Sequence, residues 1–265
     1  MTAGGAPRPA EAADRSSRTI RLAVWGPTSA GKTVLLAKLF LDAPDGEWKI
    51  FTTDQSKKFA RQMRELMKSK NRFPKATDGT ETVEYRLLHR ATGREALLRL
   101  EDRPGSESDV LSEPMRRQLR EAEGLVLVLD PMANPDILEN KLWNTLEDVH
   151  VTTAAGAPLD SRPVAVCISK ADVLIESAAD LRLATKEPGE FFRRQPALHG
   201  LDRPLKYLCS NYSYFPVSAT GLRLRYGVIE PVVFYDEALE PRLGPGGQSF
   251  NLMRPFAWLL DQIPA

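Results

Sequence analysis

Apolar runs alternate with helical patterns along most of this chain. Residues 124–130 and 163–168 are almost wholly apolar, which is typical of strands buried on both faces of a sheet, and 20–25 reads as another strand. Apolar residues at helical spacing predict helices at 34–41, 113–123, 134–149 and 253–263, the last with Phe256, Leu259, Leu260 and Ile263 on one face. Strands that alternate with helices pair in parallel, so the pattern predicts a three-layer α/β fold around a mostly parallel sheet.

Weaker patterns fill the first half of the chain. Residues 56–70 predict a basic amphipathic helix, 71–80 have the composition of a loop, and 83–88 and 95–100 flank a turn that contains Gly93. The two flanking segments predict a β-hairpin, which adds one antiparallel strand to the sheet.

The second half is expected to be less regular. Residues 173–211 predict an insertion of short helices, broken at Pro188, Pro196 and Pro204. Residues 214–217 read as the last short strand, and the Gly- and Pro-rich stretch 221–250 is expected to be irregular. The first 18 residues lack the apolar centre of a signal peptide and read as a disordered leader. No strong linker divides 19–265, which are predicted to form a single domain.

Composition excludes several classes of function. The chain has 36 basic and 35 acidic residues and a net charge of +1, which gives no support for nucleic-acid binding. Two cysteines, Cys167 and Cys209, are too few for a disulfide framework or a zinc site, so a reduced, cytoplasmic environment is expected. No apolar run reaches the roughly 18 residues of a transmembrane helix, so no integral membrane segment is predicted.

The strongest motif follows the first predicted strand and precedes the first predicted helix. It matches the phosphate-binding loop G-x-x-x-x-G-K-[ST], with the residues Gly26, Pro27, Thr28, Ser29, Ala30, Gly31, Lys32 and Thr33, and Val34 begins the helix. The glycines let backbone N–H groups face a phosphate. Lys32 is expected to reach the β- and γ-phosphates, and the Thr33 hydroxyl to bind Mg²⁺. This loop predicts a nucleotide-binding protein.

Three later motifs, at the ends of predicted strands, favour GTP over ATP. The first is Asp102-x-x-Gly105, where Asp102 is expected to hold Mg²⁺ and the Gly105 N–H to bond the γ-phosphate. The second, Ser169-Lys170-Ala171-Asp172, resembles the [NT]-K-x-D guanine motif of GTPases.

The chemistry of guanine explains this second motif. The Asp172 carboxylate can accept hydrogen bonds from guanine N1–H and the 2-amino group, donors that adenine lacks, while the stem of Lys170 covers the base. The third motif, Ser218-Ala219-Thr220, resembles the short loop whose backbone N–H contacts guanine O6.

Together these motifs resemble a TRAFAC-class P-loop GTPase with the Ras-like small-GTPase fold, over residues 19–263. The closing helix and the segment 173–211 are also similar to bacterial paired ("double-GTPase") families. The resemblance implies a switch threonine that meets Mg²⁺ and the γ-phosphate. Thr77, Thr80 and Thr82 qualify, and Thr80, which has the Ras-like distance to Asp102, is the preferred catalytic candidate beside Lys32.

The chain departs from the Ras-like pattern where the attacking water is oriented. Ser106, followed by Glu107, replaces the glutamine that usually follows D-x-x-G, and Thr28 and Ser29 replace glycines. Slow hydrolysis is therefore expected, assisted by a partner or by an arginine finger. Arg103 could serve in cis, but the favoured interpretation of Arg103 is a solvent-facing loop residue.

The sequence thus predicts a Mg²⁺-dependent GTPase that acts as a switch on a protein effector or activator, or on a second GTPase. The alternatives are a GTP- or GDP-binding interaction module with negligible hydrolysis, and a generic P-loop ATPase.

Overall fold

The computed structural model describes residues 18–42, 47–69, 72–73, 81–102, 111–150 and 159–264, with the backbone alone at 68–69, 81 and 101–102. The predicted leader lies outside the described residues, except for Arg18. The described strands are β1 (Thr19–Trp25), β2 (Trp48–Thr52), β3 (Glu81–His89), β4 (Arg94–Asp102), β5 (Gly124–Leu129), β6 (Val164–Ile168), β7 (Tyr212–Pro216), β8 (Ser218–Arg225), β9 (Val228–Pro231), β10 (Val233–Tyr235), β11 (Pro241–Leu243) and β12 (Gln248–Phe250). The α-helices are α1 (Lys32–Leu41), α2 (Asp54–Arg64), α3 (Glu113–Glu121), α4 (Pro135–Val149), α5 (Ala178–Lys186), α6 (Pro188–Arg193), α7 (Asp202–Leu208) and α8 (Arg254–Gln262).

The central sheet has seven strands in the order β2-β3-β4-β1-β5-β6-β7. β1 pairs in parallel with both β4 and β5, and β5, β6 and β7 pair in parallel. β3 pairs antiparallel with both β2 and β4, so it alone runs against the other six strands. The predicted mostly parallel sheet with one antiparallel hairpin strand is confirmed.

Alternate residues of β1 show why two faces of the sheet are covered. Ile20, Leu22 and Val24 pack with α1, α2 and α8, whereas Ala23 and Trp25 pack with α3 and α4 on the other face. Side chains alternate between the faces of a strand, so a strand with both sets apolar requires a helical layer on each side. The predicted three-layer α/β fold is therefore present.

Helix α8 closes the first of these layers. Phe256, Leu259, Leu260 and Ile263 are buried in the same cluster as the apolar residues of β1. Arg94, in the first position of β4, donates hydrogen bonds to the carbonyl oxygens of Leu260 and Ile263, and so satisfies acceptors that a helix end leaves open.

The segment 173–211 carries the chain from β6 to β7. It contains α5, α6 and α7 together with two 3₁₀ turns, Ala171–Leu174 and Pro196–Leu201. Pro188 begins α6, Pro196 begins the second 3₁₀ turn, and Pro204 lies in the first turn of α7. A first-turn proline costs little because the N–H that it lacks has no helical partner there.

The prediction that 221–250 is irregular is wrong. Strands β8 to β12 occupy much of this stretch, so residues 214–217 are not the last strand, and Ser218 and Ala219 begin β8 rather than lying in a loop. The glycines lie at turns and close approaches: Gly221 has φ 93°, and a Cβ there would lie 2.0 Å from the Gln248 carbonyl oxygen of β12. The composition therefore marked turns between short strands.

These small sheets expose large apolar side chains. Leu224, Tyr226, Val228, Phe234, Tyr235 and Leu239 are all exposed. Among the described residues, no helix is long and apolar enough to cross a membrane.

Candidate nucleotide-binding site

The loop between β1 and α1 has the backbone geometry that its glycines predict. Gly31, directly before α1, is left-handed with φ 86°. A Cβ on Gly26 would lie 2.2 Å from the carbonyl oxygen of Val128 in β5, so the loop passes too close to the neighbouring strand for any side chain at that position. Ser29 is also left-handed, with φ 64°, which is costly for a residue other than glycine.

Lys32 reaches back across this loop. Its Nζ donates to the carbonyl oxygens of Gly26 at 2.8 Å and Pro27 at 2.9 Å. Helix α1 has no acidic residue in its first turn, so the positive end of the helix dipole and the ammonium lie together at the loop. This arrangement favours an anion.

Other predicted phosphate and metal residues are only partly described. β4 ends at Asp102 and runs parallel to β1 as its direct neighbour, so the Asp102 backbone lies at the edge of the sheet that carries the loop. The side chain of Asp102 lies outside the described part, as do the candidates Thr77, Thr80, Arg103, Gly105, Ser106 and Glu107. Thr82 is described, and it is exposed on β3 opposite Glu101. Within the described part of the chain, no group of three or more His, Cys, Asp or Glu side chains could hold a metal ion.

The two predicted base-recognition motifs meet in the structure. Ser218 Oγ donates to Asp172 Oδ1 at 2.5 Å, and the Gly221 N–H donates to the same Oγ at 2.8 Å. Asp172 is only 3% exposed. Burial raises the pKa of Asp172, whereas the hydrogen bond from Ser218, a bond from its own backbone N–H and the charge of Lys170 lower it. A buried carboxylate with one oxygen already paired needs donors for its remaining lone pairs.

Backbone bonds hold the two motifs together. The Ala171 N–H donates to the Val217 carbonyl at 3.1 Å, and the Val217 N–H donates to the Ile168 carbonyl at 2.8 Å. The hydroxyl oxygen of Ser249, in β12, lies 3.1 Å from the Ala219 carbonyl oxygen and 2.8 Å from Asp42 Oδ2, so it can donate to either. Parallel pairing of β6 with β7 thus brings together motifs that are far apart in sequence.

Ser169 and Lys170 both bond to the end of β5. The backbone N–H and the hydroxyl of Ser169 donate to the Leu129 carbonyl, at 2.9 and 3.0 Å. Lys170 forms an ion pair with Asp130 Oδ2 at 2.5 Å. In the sequence, Asp130 is recognisable only as the end of the apolar run 124–130. Its position, a carboxylate directly after a buried strand at the ligand-binding edge of the sheet, was the available signal.

Comparison with known proteins gives one family. The model of the family Double-GTPase 2 matches residues 20–196, a range that includes the phosphate loop and the segment 169–172 but ends before Ser218. No curated protein matches the chain. Among solved structures, the crystal structure of a mutation variant of SsGBP aligns at 16% identity and a TM-score of 0.37, over 76% of this chain and 51% of that one. The chain therefore spans about half the length of that protein, and the likeness is too distant to carry a functional argument.

Proposed function

The chain belongs to the Double-GTPase 2 family and is a GTP-binding P-loop protein, and we propose that it is a Mg²⁺-dependent switch that hydrolyses GTP slowly to GDP and phosphate. Guanine would be recognised by Asp172, Ser218 and Ala219, and the phosphates would bind the loop from Gly26 to Thr33. The effector or activator would be a protein, and a second GTPase is one candidate.

The contact between Asp172 and Ser218 is the observation that carries this proposal. It fixes a buried carboxylate at the carboxyl end of β6, where α/β sheets bind ligands. Guanine would offer N1–H and the 2-amino group to the remaining lone pairs of that carboxylate, whereas adenine offers neither donor. A buried polar group left without a hydrogen-bond donor costs about 1–3 kcal/mol, which corresponds to a loss of roughly 5- to 150-fold in affinity. Discrimination against ATP would follow from that cost.

The phosphate half of the site would work through positive charge and backbone donors. Lys32, which bonds to the loop's own carbonyl oxygens, would donate to the β- and γ-phosphate oxygens, and α1 would direct its first N–H groups at the same anion. The Thr33 hydroxyl suits Mg²⁺ because it is an oxygen ligand at the helix start, and Asp102 would provide a carboxylate from the adjacent strand end. Mg²⁺ prefers oxygen ligands and usually needs only one or two protein groups besides phosphate and water. When bound, it would neutralise charge that develops on the phosphates.

Slow turnover is proposed because the chain lacks the usual water-orienting side chain. Ser106 and Glu107 stand where Ras-like proteins place glutamine, and neither a short hydroxyl nor a carboxylate beside phosphate replaces the amide well. Thr80 would act as the switch threonine, with loops 71–82 and 103–113 ordered by the γ-phosphate and released after hydrolysis. A partner would supply the missing catalytic group.

A second candidate function is a guanine-nucleotide-binding interaction module with negligible hydrolysis. The same Ser106 favours it, because a site that cannot orient water can still bind GTP tightly. Multiple-turnover phosphate release by the pure protein, with and without candidate partner proteins, separates this module from a slow GTPase.

Equilibrium binding of fluorescent GTP, GDP and ATP with Mg²⁺ tests the nucleotide assignment. We expect tight guanine binding that Asp172→Asn weakens about 100-fold, since an amide donates where guanine also donates. Asp261→Asn, a change of the same type at an exposed position of α8, serves as the control and should bind like the wild type. Equal affinity for ATP and GTP would return the chain to a generic P-loop ATPase.

A further inference from the structure

The backbone of Lys170 is fixed in an unusual conformation. Lys170 is left-handed, with φ 50°, and its carbonyl oxygen accepts from the Val173 N–H at 3.0 Å. The N–H of the next residue, Ala171, donates to the carbonyl of Val217, which directly follows the adjacent strand β7. A non-glycine residue keeps such a conformation only where its surroundings enforce it, so the direction in which the side chain leaves the backbone is set.

The far end of the same side chain is also held. Lys170 Nζ pairs with Asp130 Oδ2, while Asp130 Oδ1 accepts from the Met132 N–H at 2.9 Å. The bond from Met132 orients the carboxylate, so that its other oxygen, Oδ2, faces the ammonium of Lys170. The Asp130 side chain is 13% exposed, and that of Lys170 is 42% exposed, so only the lysine end of the pair is well solvated.

The side chain of Ser169, the residue before Lys170, does not hold the lysine in place. Both the N–H and the hydroxyl of Ser169 are bonded to the Leu129 carbonyl, so its short side chain is directed into the sheet. Asp130 is therefore the group of the β5 end that reaches the lysine of the base-recognition segment.

We infer that Asp130 is a positioning residue, which holds the four-carbon stem of Lys170 rigid beside the base site before a nucleotide arrives. This inference rests on the proposed guanine site. A lysine loses much rotamer freedom when it covers a ligand. If the ion pair has already imposed that order in the free protein, less freedom is lost on binding, and guanine nucleotides bind more tightly. The same tether slows nucleotide release.

A double-mutant cycle on nucleotide affinity tests the inference. The four proteins are wild type, Asp130→Asn, Lys170→Met and the double variant, and the measurements are the Kd and dissociation rate of fluorescent GDP with Mg²⁺. Asp130→Asn is expected to weaken GDP binding about two- to fivefold, the range that a partly exposed ion pair provides, chiefly by faster dissociation. The same substitution in the Lys170→Met protein should have no effect, because no ammonium remains to be held.

Two further variants keep the outcome clear. Asp136→Asn removes an exposed carboxylate from the start of the adjacent helix α4 and should leave the Kd unchanged, and Asp130→Glu should retain part of the affinity. An equal loss in both lysine backgrounds, or a loss that accompanies a lowered melting temperature of the free protein, would assign Asp130 a structural role and overturn the inference. Wild-type affinity in Asp130→Asn would also overturn it. Failure of the wild type itself to bind guanine nucleotides would instead refute the proposed function.

Discussion

Asp172→Asn is expected to change stability and binding in opposite directions. The Asp172 carboxylate is buried, and burial raises its pKa, which means that the ionised form is unfavourable in the folded state. An asparagine keeps the carbonyl oxygen that accepts from Ser218 but carries no charge. At pH 7.5 the variant should therefore unfold with a larger free energy than the wild type, although it is expected to bind guanine nucleotides about 100-fold more weakly.

The expected gain is about 1 kcal/mol, the usual scale when a destabilised functional site is relaxed. For a domain of this size that corresponds to a rise of roughly 2–4 °C in melting temperature. The pH dependence gives a sharper test. The penalty on the wild type is absent below the unfolded-state pKa of aspartate, about 3.9, and grows as pH rises through the higher folded-state pKa.

Urea denaturation of both proteins between pH 4.5 and 8, without nucleotide, measures this difference. The stability advantage of Asp172→Asn should be largest at pH 7.5 to 8 and should shrink as the pH falls. Asp261→Asn, on the exposed face of α8, should show no such trend. If the variant were less stable than the wild type at every pH, or if its stability advantage grew towards low pH, the argument that ionised Asp172 destabilises the folded protein would be refuted.

Three further substitutions test the framework of the site. Gly26→Ala should destabilise the protein by about 1–3 kcal/mol and prevent nucleotide binding, because its Cβ would meet the Val128 carbonyl; normal binding would contradict the loop geometry. Ser29→Gly should stabilise it by roughly 0.5–1 kcal/mol by relieving a left-handed backbone, while Thr28→Gly should not; urea denaturation compares them. Arg162→Met should cost about 3–5 kcal/mol, because it removes the guanidinium that pairs with the buried Asp160 carboxylate and bonds to carbonyl oxygens at the ends of α3 and α4; an unchanged unfolding midpoint would refute that role.

The buried strands could be predicted from the sequence because burial on both faces leaves one simple mark. The run 163–168 agrees with β6 to within one residue, and the run 124–130 with β5. The phosphate loop was equally predictable, because Gly26 lies too close to β5 for a side chain and Gly31 has a positive φ, conditions that favour glycine. Elements can be predicted from the sequence where the environment of their residues permits only a few types of side chain.

Other features lacked such a local mark. β2, which the sequence patterns do not predict, is a five-residue edge strand whose Trp48 packs on His89. The strands from Ser218 onward are three to eight residues long. The glycines and prolines of the turns between them dominate the composition of 221–250, so the strands were not predicted. The pairing of Asp130 with Lys170 depends on strand order, which brings the ends of β5 and β6 together, and single-sequence periodicity does not reveal strand order.

The packing of α8 on β1 has a consequence during synthesis. β1 and the phosphate loop leave the ribosome before α8, but the apolar face of β1 is covered by residues 254–263, which at ~5–20 residues per second are made about 10–50 s later. We expect a nascent chain that stops at residue 253 to hold guanine nucleotide poorly, and a ribosome-stalled chain of that length to be more sensitive to protease than one extended past 265. Nucleotide capture would then follow the synthesis of α8, and equal protection of the two nascent chains would exclude that timing.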